Sequence, residues 1–357
     1  MSCGSARISI WSSSTFAWFP GLPIHHSTDL VHWEQIGNAL DRPGMLDFKR
    51  LGLSRAVFAP AITHHDEAVL ASSNTCVDCG GNFTGHRQGP EGAVVGPGVA
   101  AGGGRHRRLA VLRRGDGRAW IVNNDNPPGP AEYQGHRAIW IQEYDPKAQK
   151  TIGSRSVLLD KGVNPAAKPI WPEGPRILKK DGWYYLVAAE GGTAEGHSQV
   201  VLRAKAVTGP YVPYKDNPIL TQRGLPKDRP LPITSAGHAD LVDTPDGQWW
   251  ATFLAVRPYG DDLYNTGRET FLLPVEMEGR LAGHPAERPD HPVCEDCAQA
   301  AGLQDRSDLR PVPRGRDLRR ARAAQGVDDH AHPQLALVER QGRDAQHRGP
   351  QGPHRRQ

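Results

Sequence analysis

The residues of this chain that could do chemistry are few and far apart. Glu173 sits in Trp171-Pro-Glu-Gly-Pro175. Two prolines and a glycine predict a rigid, non-helical loop. An aromatic beside the carboxyl is a setting in which its pKa can rise, as a general acid requires. A plain loop glutamate would carry the same local signature. Gly237-His-Ala-Asp240 and Gly267-Arg-Glu-Thr270 set polar groups beside small residues, so a ligand could approach the backbone closely. The plainer alternatives are a satisfied core histidine for His238 and a surface ion pair for Arg268. Phe16, Trp18 and Phe19 precede Pro20-Gly21 and could form either a stacking platform for a sugar ring or ordinary core.

Other patterns carry less. Cys76-Val-Asp-Cys79 and Cys294-Glu-Asp-Cys297 are C-x-x-C pairs, but a zinc site needs four thiolates converging in a tetrahedron and these pairs lie far apart in the chain. No metal is assigned to them. Five cysteines are too few for a disulfide scaffold. Gly96-Pro-Gly-Val-Ala-Ala-Gly102 lacks the helix pattern that a dinucleotide loop needs after it.

The elements that must position these residues read as β. Short aromatic or β-branched runs, such as Ala119–Val122, Ile139–Tyr144, Trp183–Ala189, Gln199–Ala204 and Trp249–Val256, are separated by Asp-Gly, Asn-Pro and Gly-Pro turns. Three related strings begin at Asp116, Asp181 and Asp246, 65 residues apart, each an Asp-Gly turn followed by an aromatic strand. A repeat of this length predicts a radial or stacked β array with four strands per unit. No apolar run approaches the roughly 18 residues of a membrane span, so no membrane partner is expected, and no secretory leader is visible at Met1, which favours a cytoplasmic over a secreted location without fixing the compartment.

The net charge of +4 over 357 residues hides an uneven distribution. All 24 aromatics lie at or before Phe271. Residues 85–115 carry net +5 and residues 280–357 net +3, which leaves the rest of the chain at −4. The basicity therefore does not mark the foldable part as a nucleic-acid binder; an arginine-rich tail is the only feature pointing that way. Both stretches use an Arg/Gly/Ala/Pro/His alphabet free of aromatics, as GC-rich DNA read in a shifted frame would. Residues 280–357 are expected to be disordered, and 85–115 to be an aberrant, insert-like segment within a 1–279 domain.

Taken together, several strings resemble glycoside hydrolase family 43 in its β-xylosidase/α-L-arabinofuranosidase branch. They are Ser14-Thr-Phe-Ala-Trp-Phe-Pro-Gly21, Ile24-His-His-Ser27, Asp29-Leu-Val-His-Trp33, Phe58-Ala-Pro60, Cys76-Val-Asp-Cys-Gly-Gly81, Ile139-Trp-Ile-Gln-Glu-Tyr-Asp145, Trp171-Pro-Glu-Gly-Pro175, Glu190-Gly-Gly192, Gly237-His-Ala-Asp-Leu241 and Gly267-Arg-Glu-Thr-Phe-Leu-Leu-Pro274. The resemblance covers roughly residues 14–84 and 116–278. It implies an all-β, five-bladed β-propeller, here incomplete, and an inverting glycosidase acting on xylo-oligosaccharides or arabinoxylan-derived sugars without a required cofactor.

The resemblance also implies roles. Glu173 matches the general acid, Phe16 and Phe58 the aromatic walls of the sugar site, and Arg268 a ligand of substrate hydroxyls. His238 matches an axial histidine that contacts a central water or structural calcium. Two of the family's three carboxylates have no match: the general-base Pro-Asp-Pro motif would fall before Met1, and the Gly-Gly-Ile-Asp-Pro-Ser motif near Arg107. An N-terminally truncated, frameshifted and impaired copy is therefore expected, with a non-catalytic sugar-binding propeller as the alternative.

Overall fold

The structure, a computed structural model, describes residues 9–45, 49, 52–54, 56–65, 68–74, 82–88, 94–99, 107–113, 118–145, 147–148, 150–244, 247–259 and 263–275. The tail 280–357 and both C-x-x-C pairs lie outside them. The described residues form five antiparallel sheets in chain order. The first holds β1 (Ser9–Ser12), β2 (Gly21–Ser27) and β3 (Glu34–Leu40). The second holds β4 (Ala61–His65), β5 (Ala68–Asn74), β6 (Asn82–Gln88) and β7 (Val94–Val99). The third runs β8 (Arg107–Arg113), β9 (Ala119–Asp125), β10 (Ala138–Asp145), β11 (Lys150–Asp160). The fourth has β12 (Glu173–Lys180), β13 (Trp183–Glu190) and β14 (Ser198–Ala204), with the short β15 (Val212–Pro213) and β16 (Leu220–Thr221) side by side on the outer edge of β14. The fifth is β17 (Thr234–Asp243), β18 (Trp249–Val256) and β19 (Arg268–Val275).

Each strand follows its predecessor as a meander, and successive sheets meet through their first strands: β1 lies against β4, β4 against β8, β8 against β12, and β12 against β17. The turn chemistry explains the hairpins. Between β12 and β13 both Asp181 (φ +49°) and Gly182 (φ +74°) take the left-handed conformation that a tight two-residue hairpin demands. All five runs read as strands in the sequence are strands here. The arginine-rich stretch 85–115, set apart by composition, contributes the end of β6 and the whole of β7 and β8, with β8 paired to β9 from Arg107 opposite Asn124 to Arg113 opposite Ala119.

Burial follows from the pleat. In β13, Tyr184 and Leu186 join a core with Trp120, Val122, Ile139 and Ile141 of the third sheet. The alternate residues Tyr185 and Val187 join a second core with Ala239, Leu241 and Phe253 of the fifth sheet. A strand covered on both faces has no polar side to show, which is why Trp183-Tyr-Tyr-Leu-Val-Ala-Ala189 does not alternate. A third cluster, Leu22, Ile24, Leu40 and Val57, seats the first sheet and fixes the turn that carries Phe16.

Candidate active site

Glu173 is not wholly a loop residue as its prolines and glycine suggested. It is the first residue of β12 and pairs across to Ala189 of β13. The register slips between Glu173 and Arg176, and Gly174 there takes φ +59°. Such a bulge bends the strand and re-aims the side chain at its head. The loop character is real one step earlier: Trp171 sits at φ +54°, a left-handed conformation unusual for a bulky residue and costing on the order of 1–3 kcal/mol. Its backbone N–H donates to Gly135 O at 2.8 Å, and the Arg137 guanidinium covers its ring at 4.3 Å. Gly135 permits this approach because a Cβ there would stand 2.8 Å from Ile170 Cβ.

The loop before β10 and the loop before β12 are thus interlocked. Tyr133 donates its hydroxyl to Pro169 O at 3.0 Å and stacks on His136, whose Nε2 meets Asp160 at 2.8 Å. Lys161 pairs with Glu132 at 2.5 Å.

Phe16 also lies at positive φ (+49°), pinned by two backbone hydrogen bonds with Val57, 2.8 Å from its own N–H and 3.1 Å to its carbonyl. This places its ring edge-to-face with Phe58 at 5.8 Å and 86°. The exposed Arg268 guanidinium, at the head of β19, stands 6.0 Å from the Phe16 ring. The structure therefore brings Phe16 of the loop between β1 and β2, Phe58 of the segment before β4 and Arg268 at the head of β19 together. Trp18 and Phe19 are largely exposed.

His238 occupies β17, where the register slips on both sides of Gly237. His238 (φ +58°) and Ser235 (φ +56°) are both left-handed. Its ring is half-buried, 6.3 Å from that of His197. His197 is fully buried; its Nδ1 contacts Ser235 O at 2.8 Å, and its Nε2 makes no hydrogen bond to the described residues. Burial pushes the His197 pKa down and the Arg268 charge adds to this, against the Ser235 carbonyl contact, which raises it. Gly237 has to be small, since a Cβ would stand 2.9 Å from the His197 ring.

Glu173 and His238 are joined less directly. Arg176, three residues beyond Glu173, pairs with Asp240, two beyond His238, at 3.4 Å, and donates to Ile62 O of β4 at 3.3 Å. One guanidinium thereby ties the first strands of the second, fourth and fifth sheets. Arg176, His197 and Glu190 were not singled out by type or spacing. Arg176 directly follows the Trp-Pro-Glu-Gly-Pro string, and Glu190 opens a Gly-Gly pair, but neither neighbourhood signals a role.

The resemblance implies a central water or a structural calcium beside His238, and the described side chains there do not supply the oxygen shell of a calcium. Calcium takes six to eight oxygen ligands. Near His238 the structure offers imidazole nitrogens and the Asp240 carboxylate, which already faces the Arg176 cation. Among the described residues no cluster of three or more His, Cys, Asp or Glu could hold a metal ion.

The family model for glycosyl hydrolases family 43 matches residues 10–280. A xylosidase/arabinosidase of Butyrivibrio fibrisolvens is 39% identical over 270 residues, 74% of this chain and 50% of the relative. A non-reducing end α-L-arabinofuranosidase of Bacteroides ovatus is 34% identical over 270 residues, 74% of this chain and 47% of the relative. The crystal structure of a GH43_12 protein retrieved from a capybara gut metagenome superimposes with a TM-score of 0.72 at 39% identity, covering 78% of this chain and 51% of that one. The chain spans about half the length of these relatives. With most of the chain inside the family match, and with the strings around Phe16, Glu173, His238 and Arg268 inside it too, the chain belongs to glycosyl hydrolases family 43.

Proposed function

We propose that residues 1–279 form a five-bladed β-propeller of a glycosidase that acts on xylo-oligosaccharides or arabinoxylan-derived sugars with inversion. Five meandering sheets that meet through their first strands support the propeller reading. The observation that carries the functional reading is the family match across residues 10–280, which includes a half-buried Glu173 aimed by a bulge and a strained Trp171. Glu173 protonates the leaving glycosidic oxygen. Phe16 and Phe58 wall the sugar ring, Arg268 binds its hydroxyls, and His238 faces it from the axis. Inversion needs a second carboxylate roughly 6.5–9.5 Å from the acid to activate a water. Neither aspartate motif of the family occurs in these 357 residues. The 357-residue chain then hydrolyses slowly, since general-base help is typically worth about 10²–10⁴-fold.

The test is release of nitrophenol from nitrophenyl β-xyloside and α-L-arabinofuranoside by the purified chain, with calorimetric titration of xylobiose beside it. Trace hydrolysis with measurable binding is expected; robust turnover would overturn the base-less reading. Binding without any hydrolysis favours a second reading, a non-catalytic sugar-binding propeller that keeps Phe16, Phe58, His238 and Arg268 as ligands. The shifted-frame origin of 85–115 and 280–357 is tested by sequencing the gene: alternative frames interrupted by stop codons would dismiss it.

A further inference from the structure

The segment that delivers Trp171 and Glu173 is fastened to the end of β13 at two points. Glu190, the last residue of β13, is only 5% exposed, and its carboxyl accepts the Val163 N–H at 2.7 Å. The next residue, Gly191, donates its own N–H to Ile170 O at 2.9 Å. Gly162 makes room for the first contact: a Cβ there would stand 2.5 Å from Glu190 Oε1 and 2.4 Å from Pro169 Cγ. Both ends of the stretch 162–170 are therefore drawn onto one strand end. That end also faces Glu173, which pairs with Ala189, the residue before Glu190.

We propose that Glu190 is a positioning residue: its buried carboxyl grips the 162–171 segment through the Val163 amide and so sets where Trp171 and Glu173 stand. This rests on the reading of Glu173 as the acid. The grip depends on ionisation, because an N–H bonds a carboxylate more strongly than a neutral carboxyl. Burial raises the Glu190 pKa to about 7, so both forms are populated near neutrality. The charged and titratable groups around the carboxyl are Arg223, past β16, and Tyr133, on the loop before β10. Beyond Tyr133 stand Glu132 with Lys161 and His136 with Asp160. A loop gripped through a backbone amide transmits the change along its length, and Trp171 is one residue past Ile170, the second point of attachment.

The experiment follows three signals of the isotope-labelled full chain through neutrality: the Glu190 side-chain carboxyl carbon, the Val163 amide and the Trp171 indole N–H. The three are expected to share one midpoint near 7. In Glu190→Gln, which keeps an oxygen acceptor but cannot ionise, the Val163 and Trp171 signals are expected to stay flat. Distinct midpoints for the carboxyl and the indole in the native chain would overturn the proposal, whether or not the variant folds. So would a titration that persists in Glu190→Gln, which would assign the effect to a different group. No turnover enters these readouts. A failure of Glu173 as acid, seen as unchanged hydrolysis in Glu173→Gln, is therefore a separate result.

Discussion

Replacing Glu190 by glutamine should make the protein more stable at neutral and alkaline pH and leave it nearly unchanged in acid. Burial raises the carboxyl from an ordinary 4.5 to about 7 in the folded state. A raised carboxyl pKa means the folded chain holds a proton that the unfolded chain has released. Stability from this group is then complete below about 4.5 and is lost as pH rises through 7. The rise from 4.5 to about 7, at about 1.36 kcal/mol for each tenfold change in proton affinity, amounts to about 3 kcal/mol between pH 4.5 and 8. Glutamine removes that slope, while its side-chain oxygen can still accept the Val163 N–H. At a few degrees per kcal/mol for a domain of this size, the difference in Tm between variant and native chain should widen by about 6–12 °C across that range. Every other titrating group is common to both proteins and cancels in the difference. Calorimetric or circular-dichroism melts at the two pH extremes make the measurement. A difference that does not change with pH, or that grows toward acid, would refute the assignment of a raised pKa to this carboxyl.

Three further outcomes are expected. Glu173→Gln should lower whatever hydrolysis of nitrophenyl xyloside the chain shows by about 10²-fold or more, with xylobiose affinity by calorimetry nearly unchanged, because it removes a proton donor and little volume. Arg268→Ala should weaken xylobiose binding by about tenfold, equivalent to about 1.4 kcal/mol, with little change in Tm, since this guanidinium is exposed and its ring contact with Phe16 is long. Gly191→Ala should abolish or severely impair folding in expression and melting assays, because the added Cβ would lie 1.8 Å from Gly196 O at a residue with φ +88°.

What was legible in the sequence was local. Asp-Gly turns and aromatic runs made β9, β10, β13, β14 and β18 readable, because a hairpin's register is set by residues next to one another. β13 was found as a strand, yet its burial on two faces was not, since a pleated run shows which residues are apolar but not what covers each side. The stretch 85–115 was set apart by its arginines. Its strands are defined by pairing, β6 with β5, β7 with β6 and β8 with β9, which composition does not encode.

The site divides along the same line. Phe16, Phe58, Glu173, His238 and Arg268 could be nominated from short strings that resemble a family, because the chemistry of each belongs to its own side chain. The sequence by itself also determined that Gly and Pro flank Glu173 and that small residues flank His238. Only the tertiary structure decided that Glu173 heads a bulged strand, that Arg176 reaches Asp240 and the carbonyl of Ile62, 114 residues away, and that Glu190 grips Val163 across 27. Those contacts are made by charged and polar atoms whose partners arrive from other sheets, and burial, which raises the Glu190 carboxyl and lowers the His197 imidazole, exists only once those sheets have met.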